Sequence, residues 1–201
     1  HGKAVVGGAN ASRVSTWQNN GHLRVGESGV GELWVSDGGL VQSAQATLGR
    51  LSGGSGSAVV GAGTARVAEW ASTGLLTVGD QGSGLLQVQS GGLVRSQGAV
   101  VGQVLGAIGE VLVSGDASGT ERASWVNGGS LQVGAQGQGS MAVRSGGLVS
   151  NRGAGIGGAN LGSLGEVTVA GLGAQGQFAT WQVDGDLAIG VDLQAHEAPG
   201  L

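Results

Sequence analysis

The sequence predicts an all-β fold, a three-sided, right-handed parallel β-helix, and three observations carry that prediction. A tryptophan-led segment recurs at a nearly fixed period, apolar residues alternate in short period-2 runs, and glycine marks the same places between those runs in each copy. A period of this length belongs to stacked repeat architectures, in which each unit buries its apolar face only against its neighbours.

The copies open at Trp17, Trp70, Trp125 and Trp181, spaced 53, 55 and 56 residues apart. Glycine follows four residues later (Gly21, Gly74, Gly129, Gly185), leucine six later (Leu23, Leu76, Leu131, Leu187), and then an aliphatic-Gly pair (Val25-Gly26, Val78-Gly79, Val133-Gly134, Ile189-Gly190). The repeats therefore run 17–69, 70–124 and 125–180, with partial copies at 1–16 and 181–201, and the whole of 1–201 is one β-helix region. Each full copy divides again. A second aliphatic-Gly pair falls 23 residues after the first, at Leu48-Gly49, Val101-Gly102 and Ile156-Gly157. The seven pairs from Val25 to Ile189 imply seven to eight coils. At ~4.8 Å per strand these make a rod about 35–40 Å long. The start, Gly2-x-Ala4-x-Val6-Gly7, matches Gly56-x-Ala58-x-Val60-Gly61. The chain is thus expected to be a fragment of something longer.

Within each copy, Leu33-x-Val35, Leu86-x-Val88 and Met141-x-Val143 have the spacing of short strands with one buried face. The glycine-rich interruptions supply positive φ at no steric cost and read as turns. No stretch keeps a helical apolar stripe. Stacking is expected to set Leu on Leu and Val on Val in a continuous interior. The four register-matched tryptophans read as inward, because small residues (Ser15, Ala68, Ala123, Ala179) precede them by two on the same strand face. Trp34 alternates with inward Leu33 and Val35 and so points out; it is the one candidate binding residue. The Gly-Gly corners at Gly38-Gly39, Gly91-Gly92 and Gly146-Gly147 suggest a backbone needing φ > 0, expected at the second glycine of each pair. A β-propeller, with blades of about 40–50 residues, is the alternative architecture; the internal half-repeat favours the solenoid.

Composition narrows function. Glycine is 46 of 201 residues without a Gly-X-Y period, which excludes collagen; charged residues are 11 %, and the net charge is −4 with no basic run, which argues against nucleic acid. With no cysteine, thiol catalysis and cysteine metal sites are excluded. No apolar run approaches the ~20 residues of a spanning helix, so this region is not expected to insert in a bilayer.

Sites for chemistry are sparse. Glu32, Glu110 and Glu166 follow a turn glycine at the same repeat position and read as a solvated edge. β-Helix enzymes acting on acidic polysaccharides cluster Asp, Arg or Lys on one face. The densest carboxylates here, Asp184, Asp186 and Asp192, lie where the repeat fails, and a polar end explains them better. His22 and His196 have no carboxylate or serine pattern around them. VGESGVG, VGDQGSG and VGAQGQG lack the Asp of the calcium-binding nonapeptide, and no Lys-Ser/Thr follows a Gly-x-Gly turn. No catalytic residue, metal site or cofactor is expected.

The pattern W-x3-G-x-L-x-VG-x2-G-x-G-x-L-x-V-x2-GG-x-V, followed by IG and G-x-V-x-V, resembles the repeat of autotransporter (type V secretion) passenger domains, shared with some PEP-CTERM-associated surface proteins. The likeness covers about residues 2–190. It implies a right-handed β-helix exported across the outer membrane of a Gram-negative bacterium, through a barrel not present here. It also implies a role in adhesion, aggregation or biofilm formation, with another copy, host surface or matrix molecules, or glycans as partners. The tail GVDLQAHEAPGL departs from the pattern. The expected function is thus a non-enzymatic surface or secreted passenger. The alternatives are an inert stem presenting another domain and, less favoured, a polysaccharide-acting enzyme.

Overall fold

The structure, a computed structural model, describes residues 1–8, 14–61, 66–89, 91–115, 122–158, 162–174 and 176–190. Among these residues, twenty-one short strands form three parallel sheets of seven. The first sheet stacks β1 (Gly2–Val6), β4 (Val30–Val35), β7 (Ser55–Val60), β10 (Ser83–Val88), β13 (Ile108–Ser114), β16 (Gln138–Arg144) and β19 (Leu164–Ala170). The second stacks β2 (Thr16–Gln18), β5 (Leu40–Ser43), β8 (Ala68–Ser72), β11 (Gly92–Ser96), β14 (Ser124–Asn127), β17 (Leu148–Asn151) and β20 (Thr180–Val183). The third stacks β3 (His22–Val25), β6 (Gln45–Leu48), β9 (Leu75–Val78), β12 (Gly98–Val101), β15 (Ser130–Val133), β18 (Gly153–Ile156) and β21 (Leu187–Ile189). Each strand pairs with the strand three further along the chain, so the chain visits the three sheets in turn. Seven strands per sheet are six steps: a parallel β-solenoid of about six turns.

The interior explains why the repeat is two coils long. On the second sheet the inward ladder reads Trp17, Val41, Trp70, Val94, Trp125, Val149, Trp181. On the third it reads Leu23, Ala46, Leu76, Ala99, Leu131, Ala154, Leu187. On the first, Leu33, Ala58, Leu86, Val111, Met141 and Val167 alternate in the same phase. Layers of Trp, Leu and Leu or Met thus alternate with layers of Val, Ala and Ala or Val. The expected stacking of Leu on Leu is therefore corrected to Leu on a smaller residue. Layers lie only ~4.8 Å apart. An indole spreads into the neighbouring layer, and close packing needs that layer to be small. Val on Val does hold in one column, Val35, Val60, Val88, Val113 and Val143.

The tryptophans are inward as expected. Trp70 and Trp125 are fully buried, as are Ala68 and Ala123 beside them; Trp181 is half-buried, and Trp17, on the edge strand β2, is 36 % exposed. A buried polar column, not anticipated from the sequence, runs two residues after the Trp or Val: Ser43, Ser72, Ser96, Asn127 and Asn151. It meets the indole N–H groups. Trp125 Nε1 donates to Ser96 Oγ at 3.1 Å and Trp181 Nε1 to Asn151 Oδ1 at 2.7 Å. The Asn side chains in turn donate to the next corner: Asn127 Nδ2 to Ser130 O at 2.8 Å and Asn151 Nδ2 to Gly153 O at 2.7 Å.

The Gly-Gly corners are also corrected. Positive φ falls on the first glycine, Gly38 (76°), Gly91 (72°) and Gly146 (78°), and not on Gly39, Gly92 or Gly147. The second glycine is required for another reason. A Cβ at Gly39, Gly92 or Gly147 would lie within 2.4 Å of the carbonyl oxygen of Val6, Val60 or Val113 in the coil before. The corner is thus a left-handed turn followed by a close backbone approach.

Candidate functional site

Trp34 points out from β4, as its alternation with Leu33 and Val35 requires, and is 37 % exposed. Its setting was not legible in the repeat. Register places Lys3 of β1 against Glu32 of β4. Lys3 Nζ sits 4.7 Å from the centroid of the Trp34 ring and 3.6 Å from Glu32 Oε2. Trp34 Nε1 donates to Glu32 Oε2 at 3.3 Å, and His1 Nε2 lies 3.0 Å from Glu32 Oε1. Cation and carboxylate together hold the indole in one orientation on the outer surface.

Trp34 belongs to an outward column of the first sheet: Val5, Trp34, Val59, Gln87, Leu112, Ala142, Thr168. Beside it runs Lys3, Glu32, Ser57, Leu85, Glu110, Ser140, Glu166. Six of the seven strands therefore carry an apolar side chain outward near the middle of the face. Beyond Val59 the surface sinks into a hollow of about 320 Å³ that runs from Leu85 and Gln87 of β10, past Leu112 and Ala142, to Glu166 and Thr168 of β19. A second hollow, about 390 Å³, opens at the β1 end over Trp17, Leu23 and Leu33 of the first large layer.

Glu32, Glu110 and Glu166 share one outward column but do not meet, because Ser57, Leu85 and Ser140 stand between them. Asp184 and Asp186 occupy the β20–β21 corner, where Gln182 Nε2 donates to Asp184 Oδ1 at 2.7 Å. Asp192 and His196 lie outside the described residues. Among the described residues, no group of three or more His, Cys, Asp or Glu could hold a metal ion.

His22 does have partners, contrary to its isolation in sequence. Its Nε2 lies 2.8 Å from Thr47 Oγ1 on β6. Lost hydration lowers its pKa below the ordinary value near 6.5, and Arg24 and Arg50 lower it further, against the opposing pull of Glu27 and Asp80. Glu27 pairs with both arginines, with Arg24 Nε at 3.5 Å.

One further residue escaped the sequence reading. Arg122, just before β14, donates through Nη2 to Phe178 O at 2.8 Å and Thr180 Oγ1 at 2.9 Å. It ties the loop before one Trp strand to the loop before the next, two coils on. Its signal was faint: Arg13 and Arg66 stand near the same repeat position, one residue earlier.

No family model, curated protein or solved structure matches the chain. Among the described residues, no helix is long and apolar enough to cross a membrane.

Proposed function

We propose that the chain is a non-enzymatic segment of a bacterial surface or secreted passenger whose β-solenoid mediates adhesion or self-association, the behaviour behind aggregation and biofilm formation. The observation that carries this reading is the outer face of the first sheet. There Val5, Trp34, Leu85, Leu112 and Ala142 point away from the core, while Val59 of the same face is 7 % exposed. An apolar column edged by Lys3, Glu32, Glu110 and Glu166, with no helix over it among the described residues, suits packing on another surface. The resemblance of the repeat to autotransporter passenger domains supports the same reading. It suggests a Gram-negative cell surface as location, and as partners the chain itself, host matrix molecules or glycans. The winding is taken as right-handed, as parallel crossovers generally are, and the stack as continuing to seven or eight coils. Sedimentation of the purified chain over a range of concentrations, with aggregation of cells displaying it, tests the proposal. A monomer at every concentration, with no matrix binding, sinks it.

A second reading is an inert stem that holds another domain away from the cell. The layer alternation favours it, since large and small layers return to phase after one two-coil unit. In-frame deletion of residues 70–124 should then shorten the rod, remain folded and leave binding by the whole protein intact. Loss of binding with the fold preserved places the contact within the deleted coils instead.

A further inference from the structure

The outer face of the first sheet carries a knob and a hollow at the same position along the strand. The knob is Trp34 on β4, held in place by Lys3 and Glu32. The hollow, about 320 Å³, extends from Leu85 and Gln87 of β10 to Glu166 and Thr168 of β19 and includes Ala142 on β16. Trp34 and Ala142 belong to one register column, and β10 stands midway between them, two strands from each.

We propose that this face is an isologous interface with a second copy of the chain, the two solenoids antiparallel about a two-fold axis along β10, so that Trp34 of each copy fills the hollow over Ala142 of the other. This rests on the self-association reading and names its surface. In an isologous contact, residue i meets j and j meets i. A two-fold along the strand direction keeps each register column facing itself and reverses the order of strands.

Seating Trp34 over Ala142, the smallest side chain of its column, fixes the axis, and the rest of the face then tests it. Val59 of β7 falls opposite Leu112 of β13, and Leu85 falls on the axis opposite its own copy. Lys3 of β1 falls opposite Glu166 of β19, an attractive pair. Glu32 meets Ser140 and Glu110 meets Ser57, so no like charges face each other in these columns. An outward tryptophan thus meets the smallest side chain of its column, and the lysine meets a carboxylate. The indole is already fixed within its own copy, which reduces the entropy lost on docking.

Six strand steps of ~4.8 Å and outward columns ~6.6 Å apart give a face of about 29 by 17 Å, or roughly 1,000 Å² over both copies. That is near the lower bound for a specific interface. A weak dimer is expected, with opposed rods of more coils binding tighter as contacts add along the axis.

The chain has no cysteine, so a single introduced thiol reports the axis. In the full chain, Leu85→Cys should be crosslinked to its own copy by a short bismaleimide, which spans the ~10 Å between facing sheets where a direct disulfide cannot, while Leu93→Cys, outward on the second sheet, should not. By sedimentation equilibrium, Trp34→Ala should weaken dimerisation about tenfold or more. Lys3→Glu and Glu166→Lys should each weaken it, and the double variant should recover most of the loss. If the chain dimerises but Leu85→Cys crosslinks no better than Leu93→Cys and Trp34→Ala has no effect, this face is wrong and self-association stands. A chain monomeric at every concentration overturns both.

Discussion

Trp125 is packed between Val94 and Val149 and fully buried, whereas Trp17, at the same place in the repeat, has Val41 on one side only and is 36 % exposed. The sequence around the two is nearly interchangeable. The difference comes from the stack: β14 has a strand on both sides, and β2 is an edge. Burial in a solenoid is a property of neighbouring coils rather than of the residue. The largest expected effect follows. Trp125→Ala should cost about 3–5 kcal/mol, the range for truncating a buried aromatic. Trp17→Ala should cost about 1 kcal/mol or less, as changes at exposed positions do. Urea denaturation of both decides it, and equal losses would mean that the place in the stack does not govern the core.

The same comparison applies between adjacent layers. Val94 sits between Trp70 and Trp125, in a small layer with Ala99 and Val111. Val94→Trp would set three indoles in consecutive layers, and overpacking of this kind costs roughly 1–3 kcal/mol. Adding Trp125→Val to Val94→Trp moves the large residue by one coil and should recover part of the loss, a coupling that a double-mutant cycle measures. Additive losses would show that each site is judged alone and that the alternation is incidental.

Much of this architecture was legible. Period-2 runs and fixed glycines suffice for three-sided coils because inward and outward residues alternate strictly along each strand. Trp34 could be placed outward on that basis alone. The alternation of layers was in the sequence too, since Trp70 and Leu76 share one coil and Val94 and Ala99 the next. Val35, Val60 and Val88 mask it, because their unvarying column suggests like on like. The Gly-Gly error has a different cause. A sequence shows that glycine is needed but not whether torsion or close approach needs it, and here the first residue answers to torsion and the second to the carbonyl below. The hollow over Ala142 could not be read at all. It is defined by side chains on neighbouring coils, roughly 25–30 residues away, whose register becomes known only once the strands are stacked.

The buried polar column offers a finer contrast. Ser96 Oγ accepts from Trp125 Nε1 and lies 3.2 Å from Asn127 Oδ1, while the buried Ser72 Oγ has no partner. Ser96→Ala leaves the indole N–H unsatisfied and should cost about 1–3 kcal/mol. Ser72→Ala removes an unpaired hydroxyl and should be neutral or slightly stabilising. If the two alanine variants melt together, the column acts as small packing and not as a set of indole acceptors. On the outer surface, Trp34→Ala should cost under ~1 kcal/mol of folding stability. A larger loss would mean that the Lys3–Trp34–Glu32 cluster braces the coil rather than presenting a knob.

The smallest effect is expected at His22, where the contrast is between one histidine folded and unfolded. In the fold, lost hydration and the charges of Arg24 and Arg50 favour the neutral ring, against Glu27 and Asp80, so its pKa lies below the unfolded value near 6.5. Between the folded and unfolded pKa values the unfolded chain binds more protons, so stability rises with pH through that window. Read downward, His22 contributes its full share above about pH 6.5 and loses it progressively until the folded pKa is passed. Below that, both states are protonated and the slope from this residue ends. His22→Gln keeps a polar group within reach of Thr47 Oγ1 and removes the titration. Denaturation midpoints of both proteins, measured from about pH 7.5 downward, isolate the contribution of His22 by difference, because the rest of the chain is the same in both. The wild-type midpoint should fall relative to the variant as pH drops below about 6.5. A wild type that gains on the variant over that range would mean that Glu27 and Asp80 outweigh the two arginines and the lost hydration, reversing the sign of the shift.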